Sequence, residues 1–110
     1  MAQGILGGFE QQLLLVILRL GREAFGGDIG RELEEQTARR VSRGALYTTL
    51  DRLEDKGLVR WTMVQGTSAR DGLARRRYTV TASGLAALRT SRQVLQRLWS
   101  GLEDRLKDPS

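Results

Sequence analysis

The chain has 110 residues, the length of one small domain, and 40% hydrophobic with 28% charged residues is the make-up of a folded chain rather than a disordered one. It holds no cysteine and no histidine. That excludes disulfides, thiol chemistry, Cys/His zinc sites and a Ser-His-Asp arrangement.

The net charge of +5 is unevenly spread. Residues 39–78 carry ten cations against four carboxylates, while the remainder carries eight against nine. Sixteen of the eighteen cations are arginine, the better fork for phosphate and for guanine edges. A generic basic surface is the plain alternative. The apolar run at residues 13–18 is too short for a membrane span of roughly 20 residues and has no basic leader before it, so a cytoplasmic protein without membrane contact is expected. No Asp/Asn/Gly loop has the pattern of a calcium site, and neither a metal nor a cofactor is expected.

In chain order, residues 1–8 form a start ending in Gly7-Gly8. Residues 9–20 predict a helix with Leu13, Leu14, Ile17 and Leu18 on one stripe, widened by Leu15, Val16 and Leu20. So broad an apolar surface calls for cover from a second subunit as well. Phe25 and Gly26-Gly27 predict a turn, with Asp28 capping a second helix over residues 29–37 whose exposed side, Glu32, Glu34 and Glu35, is acidic. Ser42 then caps a third helix, and Gly57 ends it in the left-handed conformation. Leu46, Leu50 and Leu53 form its inner stripe; Gly44, Tyr47, Thr48, Asp51 and Arg52 form an outward face suited to a DNA groove. A solvated amphipathic helix is the alternative.

After Gly57 the period changes to two. Residues 58–64 and 75–80 predict two strands joined by a polar loop, and the loop and return strand carry Arg70, Arg75, Arg76 and Arg77. A basic hairpin directly after a helix-turn-helix makes a winged helix. Thr81 caps a last helix over residues 82–106, in which Leu85, Leu88, Leu95, Trp99, Leu102 and Leu106 follow a 3.5-residue seam with Arg92 in its polar slot. The expected architecture is mainly α with a small β-hairpin: a winged helix-turn-helix over residues 1–81, a long dimerisation helix over 82–106 and a tail over 107–110.

These residues together resemble the PadR family of bacterial transcriptional regulators, in its short members with a single C-terminal helix. The resemblance covers residues 6–102. It is carried by Phe9-Glu10 and the leucine-rich helix, the glycine turn before Ile29, the run from Val41 through Ser42, Arg43, Gly44, Ala45 and Leu46 to Tyr47, then Leu50, Leu53 and Glu54, the Gly57-Leu58-Val59 turn, and Arg77-Tyr78 with Thr81 and Gly84. The chain departs from typical members in its long wing loop.

The resemblance implies a homodimer, formed through the C-terminal and N-terminal helices, that represses from double-stranded operator DNA and is released by an effector. It places DNA contacts on Ser42, Arg43, Tyr47, Thr48 and Arg52, with Gly44 allowing close approach and Arg75, Arg76 and Arg77 on phosphates. Some relatives hold flat aromatic compounds between subunits on a tryptophan of the last helix, which makes Trp99, with Leu95 beside it on the seam, the candidate effector pocket; plain packing is the alternative. A winged-helix adaptor that binds protein rather than DNA is the competing reading. An enzyme is not expected: no nucleophile stands with a base, and the loop from Gly66 to Gly72 lacks the lysine and hydroxyl of a P-loop.

Overall fold

The computed structural model describes residues 6–66 and 74–107. Arg70 and most of the wing loop lie outside them. The elements are α1 (Gly8–Leu20), a 3₁₀ turn (Gly21–Glu23), α2 (Gly26–Thr37), α3 (Arg43–Asp55), β1 (Val59–Val64), β2 (Arg75–Val80), α4 (Ala82–Trp99) and a second 3₁₀ turn (Glu103–Leu106). The two strands pair antiparallel, Val59 opposite Val80 through Val64 opposite Arg75. This is the expected winged helix, mainly helical with one hairpin.

The core lies where α1, α2 and α3 meet the base of the hairpin. Leu13, Leu14 and Ile17 of α1 pack with Ile29 and Leu33 of α2, Leu46, Leu50 and Leu53 of α3, and Leu58, Tyr78 and Val80. Leu18 falls outside this stripe; it is 46% exposed and Leu15 is 49% exposed.

Three local signals act as their chemistry dictates. The Ser42 hydroxyl accepts from the Ala45 N–H at 3.1 Å, capping α3. Gly57 ends α3 with φ +76°, while the Gly57 and Leu58 N–H groups donate to the Glu54 and Leu53 carbonyls. That pair of bonds is the Schellman stop, and it turns the chain straight into β1. The Thr81 Oγ1 accepts from the Gly84 N–H at 3.0 Å and donates to the Gly57 carbonyl at 2.7 Å, so one hydroxyl ties the end of α3 to the start of α4.

Two expectations need correction. Gly26-Gly27 is not a turn and Asp28 is not a cap: α2 starts at Gly26 behind an extended Phe25. Asp28 sits in the first turn, where its charge suits the helix dipole, and pairs with Arg31. Residue 26 has to be glycine, because the Tyr47 phenol occupies the space a Cβ there would fill. The last helix is also shorter than expected. It stops at Trp99 because Ser100 leaves the helix and Gly101 takes φ +81°. Leu102 and Leu106 therefore lie beyond α4 rather than on its stripe.

An ion pair fixes α1 to the end of α3. Lys56 Nζ meets Glu10 Oε2 at 2.7 Å, and Glu10 Oε1 accepts from the Gly7 N–H at 3.2 Å. Burial alone would raise the Glu10 carboxyl; the Lys56 and Gly7 hydrogen bonds and the Lys56 and Arg52 charges outweigh it and hold it below its ordinary value. A depressed carboxyl stabilises the fold above its unfolded pKa, roughly 4.3, and loses that contribution as pH falls through the lower folded value. Lys56→Met should accordingly cost about 1 kcal/mol at neutral pH, discounted for the exposed lysine, and progressively less as pH falls through the folded value of Glu10. Urea unfolding of both proteins from pH 7 to pH 3 checks this: a gap that does not narrow toward pH 3 would assign the loss to packing.

Candidate nucleic-acid interface

The outward face of α3 is built by subtraction. Leu46, Thr49, Leu50 and Leu53 are buried, so at about 100° per residue the opposite side presents Gly44, Thr48, Asp51 and Asp55. Nothing lies within 4 Å of the place where a Gly44 Cβ would stand, so the face is open there. Thr48 and Arg52 are exposed, as are Ser42 and Arg43 at the helix start.

The expected face divides into two flanks. Arg43 and Tyr47 lie on the flank toward α2 and the hairpin; Arg52 lies about 140° around from Tyr47 on the helix wheel, on the flank toward α1. There its charge acts on Glu10. Tyr47 is only half-buried, but its hydroxyl end is seated against Gly26, so it is a packing residue with one accessible edge.

Between α2, α3 and β2 runs a groove of about 600 Å³. Arg43, Tyr47, Arg75 and Arg76 line it, with Phe25 and Tyr78. Arg76 stands 4.0 Å from Asp51, which joins the wing to the outward face of α3. The Tyr78 hydroxyl is enclosed and makes no hydrogen bond among the described residues. Burial pushes its phenol above the ordinary range; the nearby Arg76 guanidinium pulls in the other direction without completing a bond of normal geometry.

Arg77 does not join its neighbours. It lines a separate hollow with Leu18, Arg22 and Thr79. Strand alternation turns Arg76 to one face of the hairpin and Arg75 and Arg77 to the other. Arg75 returns to the groove because Phe25, bridged to Arg77 at the free edge of β2, supplies a ring beneath it. The bridge is reinforced by the Tyr78 N–H, which donates to the Ala24 carbonyl at 2.9 Å. The strand bearing the wing arginines is thus held on both sides. Phe25 and Trp61, both under arginines, had no place in the sequence-based site; the diagonal spacing of Trp61 and Arg76 in the hairpin register was the available signal.

Trp99 and Leu95 lie on α4, away from this groove, and are 44% and 42% exposed. Leu85 and Leu98 are exposed on the same helix, whereas Leu88 packs on the core and Ser91 is buried, accepting from the Leu6 N–H at 3.4 Å. Among the described residues no group of three or more acidic, cysteine or histidine side chains could hold a metal, and no helix is long and apolar enough to cross a membrane.

Over 76 residues the chain is 42% identical to Transcriptional regulator Rv3488 of Mycobacterium tuberculosis, a match covering 69% of this chain and 66% of that protein. The matched stretch is thus just under two thirds of that relative's length. The structure of hsRosR-S1, solved as a complex, superimposes with a TM-score of 0.67 at 30% identity, covering 91% of this chain and 81% of that one. A PadR-like transcriptional regulator from Bacillus cereus superimposes with a TM-score of 0.73, covering 91% and 92%; at 23% identity it speaks for the fold alone. Residues 14–90 match the Transcriptional regulator PadR-like family. The chain belongs to this family of transcriptional regulators.

Proposed function

We propose that the chain is a sequence-specific DNA-binding regulator that works as a homodimer on operator DNA in the cytoplasm, as a repressor that a small-molecule effector releases. The observation that carries this reading is the groove beside α3. It gathers Arg43, Arg75 and Arg76 next to an outward helix face that is open at Gly44 and Thr48. A helix of this kind enters the major groove, and cations flanking it meet the phosphates on either side.

Placement on α3 and the wing supports the following roles. Thr48 and Arg52 reach base edges; Ser42, Arg75 and Arg76 serve phosphates, while Tyr47 packs its hydroxyl end against Gly26; Arg43, at the helix start, serves either. The dimer reading is supported by the exposed apolar side chains Leu85, Leu95, Leu98 and Trp99 of α4 and Leu15 and Leu18 of α1. Apolar surface of this extent on a small domain asks for cover, and a second copy supplies it by two-fold symmetry. A flat aromatic effector would find its platform at Trp99 and Leu95 on that seam.

Arg52 offers the sharpest test. Arg52→Ala should cost about 1–3 kcal/mol and relax preference at one base position of the operator. The measurement is a competition assay over single-base operator variants. Equal weakening on every variant would make Arg52 a phosphate contact and remove it from base reading.

A further inference from the structure

Two aromatic rings lie beneath the wing arginines that face the groove. Arg76 Cζ is 4.1 Å from the centre of the Trp61 ring, and Arg75 Cζ is 4.3 Å from that of Phe25. Both distances are well inside the reach of cation–π attraction, about 6 Å. The first contact follows from the register: Trp61 pairs with Tyr78 and Met63 with Arg76, so Trp61 and Arg76 are diagonal neighbours on one face of the hairpin.

Stacking leaves the arginine useful. A guanidinium lying flat on a ring engages its face, while its N–H donors point outward in the plane and stay free for phosphate oxygens. A close carboxylate would consume those donors. Asp51, at 4.0 Å, is too far for a hydrogen bond, and the enclosed Tyr78 hydroxyl beside the guanidinium can engage only one of its five donors, which leaves the others for DNA. An arginine already resting on a ring also has less rotamer freedom to lose when it meets DNA.

The choice of tryptophan points the same way. Trp61 Nε1 is enclosed and has no hydrogen-bond partner among the described residues. Burying that N–H unpaired is costly, and phenylalanine or leucine would fill the space without the cost. What tryptophan adds is the strongest π face of any side chain.

We propose that Trp61 and Phe25 are positioning residues that hold Arg76 and Arg75 with their donor edges turned toward the DNA backbone. The proposal rests on the DNA-binding reading above. Trp61 carries the test, because Phe25 is buried at the entrance to α2.

The experiment is a double-mutant cycle of Trp61→Leu and Arg76→Ala, read as affinity for DNA from upstream of the gene. Trp61→Leu should weaken binding about three- to tenfold, Trp61→Phe by no more than about twofold, and Trp61→Leu should add nothing once Arg76 is alanine. An equal loss in the Arg76→Ala background would mean that Trp61 acts only through the fold, and no loss in the wild-type background would mean that it does not act on binding; either overturns the proposal. If Trp61→Leu does not fold, Trp61→Met fills the space without a π face and takes its place. The free protein gives a second readout. The Arg76 Nε–H resonance should be shifted by the Trp61 ring current and should return to an ordinary position in Trp61→Leu or Trp61→Met. Failure of the wild type to bind DNA would overturn the regulator reading, and this proposal with it, whatever the resonance shows. Binding without the ring-current shift would overturn the positioning role alone.

Discussion

Gly84→Ala is expected to lower the unfolding free energy by about 2 kcal/mol, although alanine is the better helix former by about 1 kcal/mol. A Cβ on Gly84 would overlap the Leu58 carbonyl oxygen and stand 2.7 Å from Val80 Cγ1. The carbonyl cannot step aside cheaply, because it accepts from the Thr81 N–H at 3.0 Å. Moving it disturbs the joint at which Thr81 ties the end of α3 to the start of α4. The contrast is Gly44→Ala. Nothing lies within 4 Å of that position and its φ is helical, so the exchange should stabilise the fold by about 0.5–1 kcal/mol. Urea unfolding at one protein concentration compares the three proteins. If both exchanges raised stability, helix propensity would be deciding and the close approach at Gly84 would not.

The second large effect is on DNA. Replacing Arg75 and Arg76 together with alanine should reduce affinity about 10- to 100-fold at low salt and lower the slope of log K against log salt by about 2. The loss should be uniform across operator variants, since phosphate contacts carry no sequence information. Arg77→Ala should do little by comparison, because Arg77 lines the hollow on the far side of the strand. Filter binding over a range of salt concentrations separates the cases. An Arg77→Ala loss equal to that of the double variant would show that the wing meets DNA with its other face.

These contrasts also mark what the sequence could express. Ser42, Gly57 and Thr81 each cap or stop a helix through bonds to backbone groups within a few residues, so local chemistry was enough to place them; the second bond of Thr81, to the Gly57 carbonyl, was not legible. The hairpin was legible from its period, but the division of its arginines was not: all three were expected on phosphates, whereas Arg75 and Arg76 line the groove and Arg77 a separate hollow. The start of α2 was not legible. Gly26-Gly27 has turn chemistry in isolation, and the reason for a glycine at 26 is the Tyr47 phenol, twenty-one residues further on, seated where a side chain would be. The end of α2 was equally hidden, since Ala38 takes φ +56° where glycine would be the usual signal. The seam of α4 misled for another reason. Leucines at 3.5-residue spacing continue past Gly101, but the backbone does not stay helical to carry them. Lys56 and Glu10 likewise meet only because α3 ends beside the first turn of α1.

For the site, residue types announced themselves and neighbours did not. Arginine content and the outward face of α3 pointed to nucleic acid. That Arg52 stands on the flank near Glu10 while Arg43, Arg75 and Arg76 share the other flank depends on how α1 and the hairpin pack on α3. Sequence spacing alone cannot supply that.

Binding to DNA from upstream of the gene, measured by footprinting at low and at physiological salt, tests the central claim most directly. The expected result is a two-fold symmetric footprint that weakens steeply with salt, with half-sites one helical turn of about 34–36 Å, or a multiple of it, apart, as two α3 helices of a symmetric dimer on one face of the duplex require. No protection at low salt, or a single unsymmetric site bound equally well by the Arg75→Ala/Arg76→Ala protein, would contradict it.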